Sequence, residues 1–250
     1  MDQSTGGIAQ QLKPTSAVAG QPLIVPQCNI CGNSIFLAFN GRAGEQCGQC
    51  YSLRRHRMAF AVYTREGVLQ KSDDPRSAKS VLHLAPESAL SARVSAAAGS
   101  GYVAADANPD AYRIPCVKVN FPDDFKLFPD GQFDFILHNH VLEHIPGSFR
   151  DHVNEFCRML KPGGCMIFSV PGPTTNRVTI EGGEHLSSDA ERLAKFGQRD
   201  HLKLFGQDLA QYMASIPGGD FSLDGLSNNQ RAQISIPPMS TRFLLWRRHL

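Results

Sequence analysis

The sequence predicts an α/β fold, a parallel sheet with helices packed on it, preceded by a small cysteine-bearing module. Three observations lead there. From about residue 80 onward, apolar runs of strand length alternate with helical stretches, the signature of βαβ units. Four of the seven cysteines stand in two CxxC pairs near the N-terminus. The 250 residues suffice for one α/β domain of ordinary size plus a small accessory unit.

Residues 1–25 are rich in Gln, Gly, Ser, Ala and Pro, carry Lys13 as their only cation and have no compact apolar core, so they read as a disordered leader rather than a secretory signal. No run approaches the ~18 apolar residues that would span a bilayer. With no signal segment, CxxC pairs point to metal rather than disulfides, and the cytoplasm is the expected compartment. A net charge of +2 argues against a protein that coats nucleic acid by phosphate neutralisation alone.

Cys28, Cys31, Cys47 and Cys50 give C-x2-C-x15-C-x2-C, expected to form a zinc ribbon over residues 26–60. A two-residue gap lets both thiolates of a pair face one ion, and a hairpin in the intervening segment would bring the two knuckles together. Four thiolates close a tetrahedral shell, so Zn2+ here would be structural. A redox role for one CxxC pair is the alternative reading. Arg54, Arg55, His56 and Arg57 then form a basic run, read either as a solvated helix face bridging to the next domain or as a handle for phosphate or an acidic substrate. Cys116, Cys157 and Cys165 lie in hydrophobic segments and read as small core residues.

The large domain is expected over residues 61–250. "SVLHLA" is a buried strand, "ESALSARVSAAA" a helix, and "GYVAADANP" a second strand ending in Asp106. "FDFILHNHVLEHI" is a strand running into a loop and helix. "FRDHVNEFCRMLKPGG" is a helix stopped by its Lys-Pro-Gly-Gly, "CMIFSVPGP" the next strand, and "TRFLLWRRH" a late strand. Between the last two, residues 173–208 are too long and polar for a simple connection and read as a substrate-binding insertion.

In this order and spacing, "YVAADANPD", "FDFILHNHVLEHIP" and "CRMLKPGGCMIFSVP" resemble the second, fourth and fifth motifs of class I S-adenosylmethionine-dependent methyltransferases. The resemblance spans roughly residues 80–172 and implies a Rossmann-like, seven-stranded methyltransferase sheet that binds S-adenosylmethionine. It implies that Asp106 accepts the ribose hydroxyls, although an aspartate there also suits a helix cap. Asn120 and Phe121 take the place of the acid and apolar residue that hold adenine, where Asn120 before Pro122 also suits a turn. The first turn reads His-Leu-Ala-Pro-Glu in place of the family's glycine-rich loop. It resembles that of methyltransferases from glycan and natural-product clusters, which implies that Pro86 and Glu87 meet the methionine part of the cofactor. Glu87 could equally favour the start of the following helix.

Ligands of open parallel sheets sit at the carboxyl ends of the strands, so Glu87, Asp106 and Asn139 are expected to converge on one nucleoside pocket. Methyl transfer needs alignment and often a base, for which histidine is suited. His140, after the fourth strand, is one candidate; the family resemblance gives His144 of "LEH" a packing role. "FGQRDHLKLFG" in the insertion is shared with the relatives that have the His-Leu-Ala-Pro-Glu turn. It offers Gln198, Asp200 and His201, with His201 as the favoured general base and Asp200 orienting it. A helix-capping Asp200 beside a surface His201 is the plainer reading. The expected activity is O-methylation of a small molecule or saccharide, with two alternatives: an RNA methyltransferase that grips nucleic acid through the ribbon and the basic run, or a non-catalytic scaffold. The acceptor and the oligomeric state are left open.

Overall fold

The computed structural model describes residues 25–72, 74, 77–172, 176–238 and 242–250, so the expected leader lies, but for Val25, outside the described residues. The chain divides into two compact units, Met1–Ala61 with Leu226–Met239, and Val62–Gly225 with Ser240–Leu250.

In the first unit, β1 (Phe36–Phe39) and β2 (Arg42–Cys47) form the expected antiparallel hairpin. Asn40 and Gly41 turn it, both with positive φ. The helix α1 (Arg54–Arg65) begins here and crosses the unit boundary along the chain. Arg57, at its start, is fully buried. Its guanidinium donates to the carbonyls of Ser52 (2.9 Å), Glu45 (3.2 Å), Ile234 (2.9 Å) and Ser235 (3.3 Å) and lies over the Phe36 ring. Arg54 pairs with Glu45. Neither reading of the basic run therefore holds for Arg57: it is an internal cross-link of this unit, neither a solvated face nor free for phosphate.

The second unit is built on β3 (Val81–Leu84), α2 (Ser88–Ala98), β4 (Tyr102–Asp106), β5 (Val117–Lys118), β6 (Phe133–Asn139), α3 (Phe149–Met159) and β7 (Leu160–Ser169). After β7 come α4 (Asp189–Phe196) and α5 (Asp208–Ser215), then β8 (Gly219–Leu223). Next, α6 (Asn228–Gln233) belongs to the first unit, and β9 (Leu244–Arg248) closes the chain. The seven strands run in the order β5-β4-β3-β6-β7-β9-β8. The five strands from β5 to β7 in that order pair in parallel, and β9 pairs antiparallel with both β7 and β8, so the sheet is mixed where the sequence predicts a parallel one.

Burial explains the apolar runs. Every residue of β3, all of β6 but Asp134, and Gly164–Ser169 of β7 are buried, as central strands of such sheets require. Leu82, Leu84, Ile136, Met166 and Phe168 join Val153 and Phe156 of α3 in the main core. The helix α3 stops at Met159. Lys161–Gly164, expected to end it, instead form an irregularity inside β7, where the register jumps from Phe133↔Leu160 to Phe135↔Cys165.

Register also fixes the site. Leu84 pairs with Ala105 on one side and His138 on the other, so the residues that follow these three, Ala85, Asp106 and Asn139, stand at one level. This carboxyl edge is where the strand order reverses, between β3 and β6.

Candidate functional site

At that edge lies a cleft of about 440 Å³ lined by Leu84, Ala85, Asp106, Asn120, Phe121 and His140, among others, within the size range of small-ligand sites. Two of its residues, each the first beyond its strand, have left-handed backbones: Ala85 (φ 46°) and His140 (φ 55°). Such conformations cost roughly 1–3 kcal/mol outside glycine and gather at ligand sites. Ala85 thus makes the turn that a glycine would make without strain.

Asp106 stands on the cleft wall. One carboxylate oxygen accepts from the Asn108 N–H (2.7 Å) and the other from the Tyr112 hydroxyl (2.9 Å), which fixes its orientation and leaves further lone pairs for a ribose. The bond to Asn108 spans two residues, so the local turn role and a ligand role coexist. Asn120 is exposed on the cleft, and its backbone joins a turn with Asp124. Phe121 lines the cleft and stacks on Phe125 at 4.3 Å, an apolar plate of the kind an adenine ring packs against. A carboxylate, an exposed amide and an apolar plate fit a nucleoside.

The remaining expected cofactor residues are placed otherwise. Pro86 is buried off the cleft. Glu87, the N-cap of α2, makes no side-chain cap bond; its Oε2 lies 3.3 Å from Nε2 of buried His83. Asn139 donates to the Tyr63 hydroxyl (3.1 Å) and accepts from the Ser169 hydroxyl (3.1 Å). Strand alternation explains this: His138 points into the Phe156–Phe168 side of the sheet, so its neighbour Asn139 faces Tyr63. Of the expected trio Glu87, Asp106 and Asn139, only Asp106 lines the cleft.

The histidines are rearranged as well. His201, favoured as base, is 5% exposed and does not line the cleft, and burial holds its pKa below the usual imidazole range. His140 does line it, with Nδ1 3.3 Å from Oε1 of fully buried Glu143. His144, given a packing role by resemblance, is exposed on the cleft, with Nδ1 3.1 Å from the Asp200 carbonyl. Asp200 also lines the cleft, near His144 rather than orienting a base at His201. Gln198 is exposed and off the cleft. The insertion is held down by the bonds Leu202 N–H to Glu143 carbonyl (2.8 Å) and Phe149 N–H to Glu181 (2.7 Å), and by the Lys203 ammonium on the Ile145 carbonyl.

In the first unit, the sulfurs of Cys28, Cys31, Cys47 and Cys50 lie within 4.8 Å of one another. Burial pushes the Cys31 thiol up to about 12, while at Cys47 the N–H groups of Cys50 and Gln49 outweigh burial and bring it down to about 6. Four sulfurs gathered this closely, with Cys28 and Cys47 buried, fit one cation that would hold them as thiolates.

A family model for a methyltransferase domain matches residues 54–215, well over half of the chain. No curated protein sequence matches significantly. Among solved structures, the chain is similar to an S-adenosylmethionine-dependent methyltransferase from Archaeoglobus fulgidus, at 14% identity and a TM-score of 0.51, over 78% of this chain and 94% of that one. It is also similar to the Burkholderia thailandensis 1,6-didemethyltoxoflavin-N1-methyltransferase, solved with its substrate and S-adenosylhomocysteine, at 14% identity and a TM-score of 0.42, over 76% and 79% of the two chains. With the sheet order, the cleft at its reversal and the matching family model, the chain belongs to the methyltransferase domain family, as a class I S-adenosylmethionine-dependent methyltransferase.

Proposed function

We propose that this enzyme methylates a hydroxyl of a small molecule or saccharide, with His140 as the general base. The observation that carries this reading is His140 on the cleft wall, paired at 3.3 Å with a buried carboxylate. When bound, S-adenosylmethionine supplies an electrophilic methyl group on a sulfonium. Asp106 would hold its ribose, with Asn120 and Phe121 at the adenine. With Nδ1 3.3 Å from Glu143, Nε2 of His140 is the nitrogen that would take the acceptor's proton, and the Glu143 charge would stabilise the imidazolium that results. Such pairs in unliganded sites are often long, as this one is, and tighten around substrate. The four-cysteine unit would hold a structural Zn2+, distant in role from the chemistry.

The experiment is methyl transfer from labelled cofactor to a panel of hydroxylated small molecules and sugars, with calorimetry against S-adenosylhomocysteine. His140→Ala should lower kcat ~10²–10⁴-fold with cofactor affinity unchanged, and Asp106→Ala should weaken S-adenosylhomocysteine by about tenfold or more. Full turnover in His140→Ala sinks the base assignment. An unaltered affinity in Asp106→Ala sinks the cofactor placement.

A further inference from the structure

We propose that Glu143, His144 and His201 form a site for a divalent transition-metal ion in the wall of the cleft. Glu143 and His144 sit on the single 3-10 turn Leu142–His144 that follows β6, and His201 comes from the insertion after β7. The Leu202 N–H to Glu143 carbonyl bond brings these segments together. One ligand atom from each of the three side chains lies within 4.8 Å of the other two. In a tetrahedral shell with bonds of ~2.1 Å, ligand atoms stand ~3.4 Å apart, so small rotations close the site.

The state of Glu143 is what points to a cation. It is fully buried, and neither carboxylate oxygen has a hydrogen-bond donor. Its nearest basic neighbour is His140 at 3.3 Å, a contact not aligned as a hydrogen bond. The Lys203 ammonium, which also feels the Glu143 charge, is bonded to the Ile145 carbonyl. A buried carboxylate without donors is strongly disfavoured unless it is paired or bound to metal.

His144 is arranged as metal-binding histidines are. Its Nδ1 faces the Asp200 carbonyl at 3.1 Å; an N–H donated there leaves the Nε2 lone pair for an ion. Two imidazoles and one carboxylate suit Zn2+, Co2+ or Fe2+ and leave coordination positions open. His144 and Asp200 line the cleft, so an open position there can take an acceptor oxygen. In that role, which rests on the proposed methyl transfer, the ion would acidify a bound hydroxyl. The proton passes to His140 and the methyl passes from sulfur to that oxygen, leaving S-adenosylhomocysteine. The site itself does not depend on that reading.

The test gives the metal-free full chain one equivalent of zinc, which the four thiolates take first, and then titrates Co2+. One further equivalent per chain is expected, with weak d–d absorption of nitrogen and oxygen ligands and no thiolate charge-transfer band. Glu143→Gln and His201→Ala should each weaken that binding at least tenfold while S-adenosylhomocysteine affinity, the control for folding, stays unchanged. No cobalt beyond the cysteine site, or a spectrum indifferent to both variants, overturns the proposal. Loss of S-adenosylhomocysteine binding in the wild type would instead overturn the cofactor placement and leave the metal result standing.

Discussion

His138 lies between the Phe156 ring, at 5.1 Å, and the Phe168 ring, at 4.8 Å, with both ring nitrogens buried and lacking a hydrogen-bond partner. Burial pulls its pKa down to about 3, against a slight opposing pull from Glu87. The unfolded chain takes up a proton on this residue as pH falls below about 6.5, and the folded chain does not until about 3. Between those values the unfolded state binds more protons, so stability is lost on acidification at about 1.4 kcal/mol per pH unit. His138→Phe keeps the stack and removes the titration. Urea unfolding at pH 7 and pH 5 should show the wild type losing roughly 2 kcal/mol more than the variant; equal losses would refute the assignment. The sequence shows His138 inside an apolar run, and its burial could be read from that. Arg57 could not be placed this way, because a run of four basic residues looks solvated whichever member turns inward, and its carbonyl acceptors lie up to 178 positions away.

The elements were legible where pattern and burial agree. Strands β3, β4, β6 and β7 show as apolar runs because central strands bury both faces. Edge strands carry no such mark: β5 has only two residues, both exposed, and β8 is half exposed. Length and polarity revealed the insertion after β7, but not its docking, which depends on a close backbone approach. A Cβ on Gly183 would stand 2.4 Å from Leu202 Cα and 3.0 Å from the His201 carbonyl oxygen. Both are main-chain neighbours that cannot simply swing aside, and the Gly183 N–H also bonds the Leu202 carbonyl at 3.0 Å. Gly183→Ala should therefore lift His201 and Leu202 away from Glu143 at a stability cost of about 1–3 kcal/mol. Asp106, Asn120 and Phe121 lie on other segments, so S-adenosylhomocysteine affinity should persist while turnover falls about tenfold or more. Calorimetry and a rate measurement on one preparation decide it. Normal turnover would show that the docked position of His201 does not matter to the reaction.

At the scale of the whole molecule, the order of the chain misleads. Residues 226–238 follow the sheet's eighth-numbered strand and would be assigned to the large domain, yet they complete the unit that carries the cysteines. No local signal announces this, because what joins the pieces is backbone polarity rather than an apolar pattern. The Gln27 N–H bonds the Gln233 carbonyl at 2.7 Å, and one Arg57 guanidinium serves the carbonyls of Ser52 and Ile234 together. A hairpin of ten strand residues has little core of its own. Structural zinc contributes ~10–16 kcal/mol in small modules, more than the ~5 kcal/mol at the lower end of domain stability. Removing the proposed ion should therefore unfold both pieces of the unit, including the piece that holds no cysteine. Hydrogen exchange before and after a strong chelator should show residues 27–61 and 226–238 losing protection in step, while Val81–Leu84 and Phe133–Asn139 keep theirs. Protection that survives at 226–238 after the metal has gone would mean that Arg57 and its carbonyls hold the unit without zinc, and the four cysteines would then need another explanation.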